Sequence, residues 1–476
     1  MARNSPIRLP PHISRRWHDP SLGPAVALLA SACMNVPAPS PTIAPPSATG
    51  TFARPPVALI AAVPDDWWRL YDDPVLDGLV RSTLTANADL RVAYANLDGA
   101  RAVLRQARAA RLPQTTIESA LGVDDPAGQP SASGNVPTTD YDIAATASWD
   151  LDLFGRLRSA ATAAGADAEA QAAVVDGLRV AVVADTVLAY VDLCGSTRAI
   201  ATGTREVASA QDRSVALVRE QLRAGEVSPL EVSASCDDRS RHPRRHPPFE
   251  AQRANALYRL ATLQGRPPAE ARAYRFACTA APRLRGAAPV GDGTALLLRR
   301  PDVREAERRL AAAAARIGVA RADLYPRVNL SGAVELLSGG ISAAVTPLVS
   351  WAFPNQAPVR ARLEQARATE RAALAGWDVA VLRALREVET TLAACDAEAR
   401  RNRDLATALR EAQAYARRAG ARVRLGDAPE LLQVDGQRAS ASATLQQVQS
   451  DLAVAQAEVA LFRALGGGWR TDAATR

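Results

Sequence analysis

Two periods of apolar and polar residues alternate along this chain. Over residues 114–124, Thr115, Ile117, Leu121 and Val123 fall on one side and Thr116, Glu118 and Asp124 on the other. Residues 140–152 repeat the pattern more cleanly, with Tyr141, Ile143, Ala145, Ala147, Trp149 and Leu151 opposite Asp140, Asp142, Thr146, Ser148, Asp150 and Asp152. A second pair occurs at 327–337 and 343–353, where Val328, Leu330, Val334, Leu336, Val345, Val349, Trp351 and Phe353 oppose Asn329, Ser331, Glu335, Thr346 and Ser350. Successive side chains of a strand point to opposite faces, so each stretch predicts a strand with one apolar and one wet face. Each pair precedes a long stretch without proline, 154–228 and 359–428, dominated by Ala, Leu, Arg, Glu and Gln. Such residues predict continuous helices over about 154–224 and 360–424, each roughly 100 Å long at about 1.5 Å per residue. Apolar positions are thin, with Ala at many seam positions and Val180, Val183, Val187 and Val191 at three- and four-residue steps. Seams of that kind predict close, nearly parallel helix packing.

The two strand-and-helix units are copies of one another. Asp89, Arg91, Ala93, Leu97, Ala107, Arg108, Ala109 and Pro113 recur in the same order as Asp302, Arg304, Ala306, Leu310, Ala320, Arg321, Ala322 and Pro326. Ser148-Trp149 is answered by Ser350-Trp351, and the turn signals at Gly225 and Pro229 by Gly426 and Pro429. The second copy is 11 residues shorter between its Pro and its Trp, as expected of a trimmed surface loop. The chain therefore divides into a leader at 1–32, a tether at 33–64, a first unit at 65–268, a connecting segment at 269–300, a second unit at 301–469 and a tail at 470–476.

Composition narrows the function. All 57 basic residues are Arg, they interleave with 50 acidic ones, and the net charge of +7 is spread over 476 residues. That pattern predicts solvated helical faces, and no nucleic-acid partner is expected. Five scattered cysteines without a C-x-x-C pair indicate neither a zinc site nor a disulfide framework. The four histidines, at 12, 18, 242 and 246, have no active-site context, and neither a phosphate loop nor a nucleophile elbow is present. No enzyme activity and no cofactor are predicted.

Arg3, Arg8, Arg15 and Arg16 precede a short apolar run at 22–32 that ends at Cys33. This is the order of parts of a secretory signal, and small residues just before a Cys resemble a lipobox, with Cys33 as the acylated first residue. The alternative is a signal cleaved without acylation. The segment 35–64, rich in Pro, Ala, Ser and Thr, reads as a flexible tether. Beyond Cys33 no apolar run of 18 residues occurs, so a membrane crossing rests on the four amphipathic strands.

Six words, in order, carry a family resemblance: Trp67-Trp68-Arg69-Leu70-Tyr71-Asp72-Asp73-Pro74, Ser148-Trp149-Asp150-Leu151-Asp152-Leu153-Phe154-Gly155-Arg156, Leu263-Gln264-Gly265-Arg266-Pro267-Pro268, Arg299-Arg300-Pro301-Asp302-Val303, Ala322-Asp323-Leu324-Tyr325-Pro326, and Phe462-Arg463-Ala464-Leu465-Gly466-Gly467-Gly468-Trp469. From about residue 67 to 469 the chain resembles the TolC-like outer-membrane efflux channels, in their NodT-type lipoprotein branch. The resemblance implies a mainly α fold with a membrane β-barrel part: a homotrimer with a 12-stranded barrel continued by a periplasmic helical barrel. It also implies a lipid-anchored outer-membrane location, and partnership with a periplasmic adaptor and an inner-membrane pump. Gly225, Pro229, Gly426 and Pro429 would form the periplasmic tip turns, and Leu431 and Asp435, one helical turn apart, the gate. A non-conducting periplasmic coiled-coil scaffold is the second reading.

One stretch departs from the family pattern. Residues 236–248 carry Pro243, Pro247 and Pro248 where a long helix is expected, as a local reading-frame shift restored near Glu250 would produce. A degenerate, inactive channel is therefore a further reading. Cys236, Asp237, His242 and His246 are metal-binding atom types, but the prolines prevent a helical His-x-x-x-His face, and no metal site is predicted.

Overall fold

The computed structural model describes residues 63–124, 138–241, 247–274, 276, 278–286, 289–290, 299–337 and 340–467. Cys33, His242 and His246 lie outside them.

The Trp-Trp word folds into a short 3-10 turn, Trp67–Tyr71. Asp73 then accepts from the amides of Val75 (2.9 Å) and Leu76 (3.3 Å), and with Pro74 at the first position starts helix α1, Pro74–Ala86. Trp68 Nε1 donates to Asp77 (3.0 Å), and the Arg81 hydrogen bond, helped by Trp68 and Arg69, holds the Asp77 carboxyl down at about 2. Helix α2, Ala88–Ala109, is capped by Asn87 and runs toward the sheet.

The strands are β1 (Gln114–Asp124), β2 (Thr138–Asp150), β3 (Arg327–Leu337) and β4 (Gly340–Ser350), forming one antiparallel sheet in the order β1-β2-β3-β4. β1 and β2 are joined by residues 125–137 and β3 and β4 by 338–339, so the whole 11-residue loss of the second copy falls in its hairpin connection. The last strand lies about three residues earlier than expected. Arg327, the first residue of β3, pairs with Ser350, so pairing stops there. Trp351 then leaves the sheet, stacks on Phe353 (4.8 Å) and donates to the Leu324 carbonyl at 3.0 Å. Trp149 makes the equivalent bond to the Arg111 carbonyl, also 3.0 Å, with both acceptors two residues before the matching prolines Pro113 and Pro326. Leu151 and Asp152 likewise lie past the end of β2. The Asp152 carboxylate instead caps the next helix, accepting from the amides of Leu157 (2.8 Å) and Arg158 (2.9 Å).

That helix is α3, Arg156–Thr202, which passes through one π turn at Gly203–Val207 into α4, Ala208–Arg223. The turn is a departure from the uninterrupted helix expected over 154–224. After the first tip come α5, Pro229–Arg241, and α6, Pro247–Leu263. The second copy supplies α7, Pro301–Ala322, the 68-residue α8, Ala357–Arg424, and α9, Glu430–Ala464. Near the sheet α7 lies against both α3 and α8, and α2 lies on the other side of α3; toward the tip, α4 packs on α5 and α9, and α9 on α8. Ala163, Ala164 and Ala166 of α3 and Ala312 and Ala313 of α7 are buried, and where the two helices meet, an added Cβ at Gly318 would lie 2.6 Å from the Ser159 hydroxyl. Small residues thus set the close approach that the Ala-rich composition predicts.

The main core lies midway along the bundle. Val183, Val187, Tyr190 and Val191 of α3 meet Leu452, Val459 and Phe462 of α9, with Trp67, Leu76 and Val80 from the N-terminal turn and α1. Trp67 stacks on Phe462 with centroids 4.6 Å apart. Arg300 is buried with every arm used: Nε and Nη2 bond Asp302 (2.9 and 2.8 Å), Nη2 also bonds Glu387 (2.7 Å), and Nη1 bonds the Ala464 carbonyl (2.7 Å). It thereby fixes α7 to α8 and to the end of α9.

The expectation of no disulfide is corrected. Cys194 of α3 and Cys278 of the connecting segment are bonded, their Cα atoms 5.3 Å apart. A separation of 84 residues has no local signature, so only the folded path brings the pair together.

Candidate functional site

The sheet carries the first functional surface. In the observed register Ile117 faces Ala145, Ala145 faces Val334 and Val334 faces Ala343, while Trp149 faces Leu330 and Gly332 faces Val345. Paired residues share a face, so the apolar positions of all four strands form one continuous surface. The opposite face gathers Thr116, Glu118, Thr146, Ser148, Asn329, Ser331, Glu335, Ser342 and Thr346. On the apolar side Ile117, Leu121, Ile341 and Val345 are three-quarters exposed in the single chain. At about 3.3 Å per residue, strands of 11 to 13 residues tilted by about 45° span roughly 25 Å, the height of a membrane apolar band. Among the described residues β1 and β4 each pair on one side only, leaving two bare edges, and no helix is long and apolar enough to cross a membrane.

The second surface is the opposite end of the bundle. Gly225 and Gly426 adopt φ of +78° and +75°, a conformation glycine reaches without strain. Each closes its helix with a paired bond. Gly225 and Glu226 donate to Leu222 (3.0 Å) and Gln221 (2.9 Å), and Gly426 and Asp427 to Val423 (3.0 Å) and Arg422 (3.0 Å). Pro229 opens α5, where the Glu231 carboxylate accepts from the Ser228 amide (2.5 Å), as in a capping box, and from its hydroxyl (2.7 Å), and Pro429 is the cap of α9. The four expected turn residues therefore sit at two helix reversals. Leu230 and Leu425 stand beside them, 77% and 83% exposed.

Leu431 and Asp435 lie in the first turns of α9, Leu431 half-buried and the Asp435 side chain about half exposed (48%). Gly436 beside them is pressed against α8, where an added Cβ would lie 2.9 Å from the Ala416 Cα. Partial burial raises the Asp435 carboxyl, although Arg438 Nη1 stands 3.6 Å away. Arg438 also pairs with Asp238 of α5, and Asp238 accepts from Gln211 of α4. Arg239 of α5 pairs with Asp212 of α4 at 2.6 Å. These partners were missed in the sequence because Asp238 and Arg239 lie in the stretch read as frame-shifted. Its first six residues continue α5 through Arg241, and the helix resumes with Pro247 at the first position of α6, where a proline costs nothing. Among the described residues no group of His, Cys, Asp and Glu is arranged to hold a metal, and Cys236 faces Arg219 at 3.8 Å.

Comparison with known proteins places this architecture. The family model described as outer membrane efflux protein matches residues 79–266 and 294–467. The pyoverdine export outer membrane protein OpmQ of Pseudomonas putida is 30% identical over 467 residues, covering 94% of this chain and 96% of its own. Nodulation protein T of Rhizobium leguminosarum is 28% identical over 80% of this chain and 83% of its own. The solved outer-membrane channel OprN superposes with a TM-score of 0.77 at 33% identity, over 92% of this chain and all but 1% of its own (99% covered). The open state of the MtrE channel of Neisseria gonorrhoeae superposes with a TM-score of 0.75 at 27% identity, over 88% of this chain and 95% of its own. A sheet with one apolar face, long helices reversing at glycine-closed tips and a likeness that spans nearly the full length lead to one conclusion: the chain belongs to the outer membrane efflux protein family, TolC-like and located in the outer membrane.

Proposed function

We propose that this protein is the outer-membrane channel of a tripartite efflux system, closed by three copies of the chain. The observation that carries the reading is the four-stranded sheet, apolar on one face, polar on the other and bare at both edges. Unpaired strand edges are not tolerated in lipid, so β1 of one copy must meet β4 of the next. Three copies make a closed barrel of 12 strands with the polar face toward a water-filled lumen. The exposed Val92, Tyr94 and Val103 of α2 and Leu374, Val379 and Leu382 of α8 supply the matching apolar flanks of the helical part.

The action is passive conduction rather than catalysis. Cargo released by an inner-membrane pump through a periplasmic adaptor enters at the tip and leaves through the barrel, and Leu230 and Leu425 give an adaptor apolar contacts there. Around a threefold axis Leu431 forms an apolar constriction and Asp435 a ring of carboxylates selecting cations. The Asp238–Arg438 pair supports this assignment, because it ties α5 to the helix carrying both residues. It also counts against reading residues 236–241 as damage. Cys33, with its preceding leader, is the proposed acylated residue, an auxiliary anchor beside the barrel.

Two measurements test the reading. The purified protein is expected to run as a heat-modifiable trimer and to conduct in planar bilayers; recovery as a soluble monomer without detergent refutes it. Asp435→Ala is expected to reduce cation selectivity or raise closed-state conductance, whereas Glu364→Ala, on the exposed side of α8, leaves both unchanged.

A further inference from the structure

The connecting segment crosses the middle of the bundle, and between Tyr274 and Arg285 its described side chains are held by ring contacts, ion pairs and one covalent bond. Tyr274 stacks on Phe276 (5.4 Å), and Phe276 meets Tyr190 of α3 edge-on at 6.2 Å. Arg283 then pairs with Asp451 of α9, and Arg285 with Asp72 beside the N-terminal turn at 2.5 Å. Both arginines are more than two-thirds exposed, 69% and 77%, so their pairs are solvent-screened and hold weakly. The Cys194–Cys278 bond is the one covalent anchor of this crossing, and it sits where Phe276 and Cys278 cover Ala189, Leu193, Ala256 and Leu260.

The geometry points to Cys194 and Cys278 as the substrate pair of a periplasmic protein thiol oxidant, whose action locks the connecting segment over the central core. The Cys278 thiolate attacks the oxidant's disulfide, forming a mixed disulfide and releasing one oxidant thiolate. The Cys194 thiolate then attacks Cys278 Sγ and expels the second. Two protein thiols become one cystine, and the oxidant's disulfide becomes a dithiol that takes up the two protons and two electrons. The order follows from burial. Cys194 has no exposed surface in the folded chain, whereas Cys278 is only partly buried on the outer segment. The oxidant therefore needs to reach only Cys278, and the covered Cys194 resolves the mixed disulfide from within the chain, which fixes the segment in place. The other two described cysteines are poor competitors: Cys395 is on α8, its thiol pushed up to about 12 by burial, and Cys236 is on α5 toward the tip. This inference requires only the outer-membrane location, not conduction.

The test uses the full chain with its own leader, produced in hosts with and without their periplasmic thiol oxidase. Free thiols are capped with a maleimide in denaturant without reductant, and each cysteine is read by peptide mass. In the oxidising host Cys194 and Cys278 are expected uncapped and linked in one peptide pair, with Cys236 and Cys395 capped. In the oxidase-deficient host all four are capped, and trypsin cuts the native protein after Arg283 and Arg285 about tenfold faster. Cys278→Ala in the oxidising host is expected to reproduce that faster cleavage. If that variant does not accumulate, reduction of the purified native protein in detergent gives the same reading. Capping of Cys194 and Cys278 in the oxidising host overturns the proposal. So does a linked pair whose loss, by substitution or reduction, leaves cleavage within twofold of the native rate.

Discussion

Glu458 of α9 is the core carboxyl through which stability is expected to depend on pH. It is partly buried beside the Tyr71 hydroxyl, the Cys395 thiol and the Arg283 guanidinium. Burial raises its carboxyl from 4.5 to about 7, against the smaller opposing pulls of Arg283 and Tyr71. Between pH 4.5 and 7 the folded chain binds more protons at this site than the unfolded chain. Its contribution is therefore fully present below pH 4.5 and is lost as pH rises to 7. The displacement corresponds to at most about 3 kcal/mol, less because the site is not sealed from water. Glu458→Gln keeps the shape and removes the charge. Melting of the detergent-solubilised protein, followed by fluorescence of the adjacent Trp67 and Trp68, is expected to show the variant gaining about 1–3 kcal/mol at pH 8 and little at pH 5. An identical fall in stability from pH 5 to pH 8 in both proteins refutes the assignment.

Arg300→Met leaves Asp302, Glu387 and the Ala464 carbonyl without their shared donor and is expected to cost about 2 kcal/mol, read as a lower denaturant midpoint. Gly225→Ala and Gly426→Ala force a side chain into the left-handed region and cost about 1 kcal/mol each. Gly376→Ala, in mid-helix with open space around it, is expected to gain about 0.5–1 kcal/mol in the same melting assay. Cys33→Ser is expected to abolish acyl labelling in cells and to leave trimer formation intact.

The strand faces were legible because a period of two in the residues is enough to sort a sheet, and the register then joins Ile117, Ala145, Val334 and Ala343 without further information. The tips were legible because Gly225 and Gly426 each stand near the end of a proline-free run, just before Pro229 and Pro429. Other features depend on distant partners. The Cys194–Cys278 bond, the Arg300 cluster and the Asp238–Arg438 pair each join segments that nothing local relates. The π turn at Gly203–Val207 is one residue of extra winding inside a uniform helical composition, which leaves no mark in the pattern. Residues 236–241 were grouped with a helix break because Pro243, Pro247 and Pro248 follow them; in the fold they continue α5, and Asp238 and Arg239 meet α4 and α9.

The stacking of Trp67 on Phe462 joins the first described turn of the chain to the end of its last described helix. Trp67 has no exposed surface, and neither does Phe462. A polypeptide delivered N-terminus first must therefore hold its Trp-Trp segment uncovered until the final helix has emerged. Half a molecule has nothing to put in its place, since the first copy alone lacks Leu452, Val459 and Phe462. The two copies, although each repeats the other's plan, thus share one core, and a stop anywhere before Phe462 removes part of it.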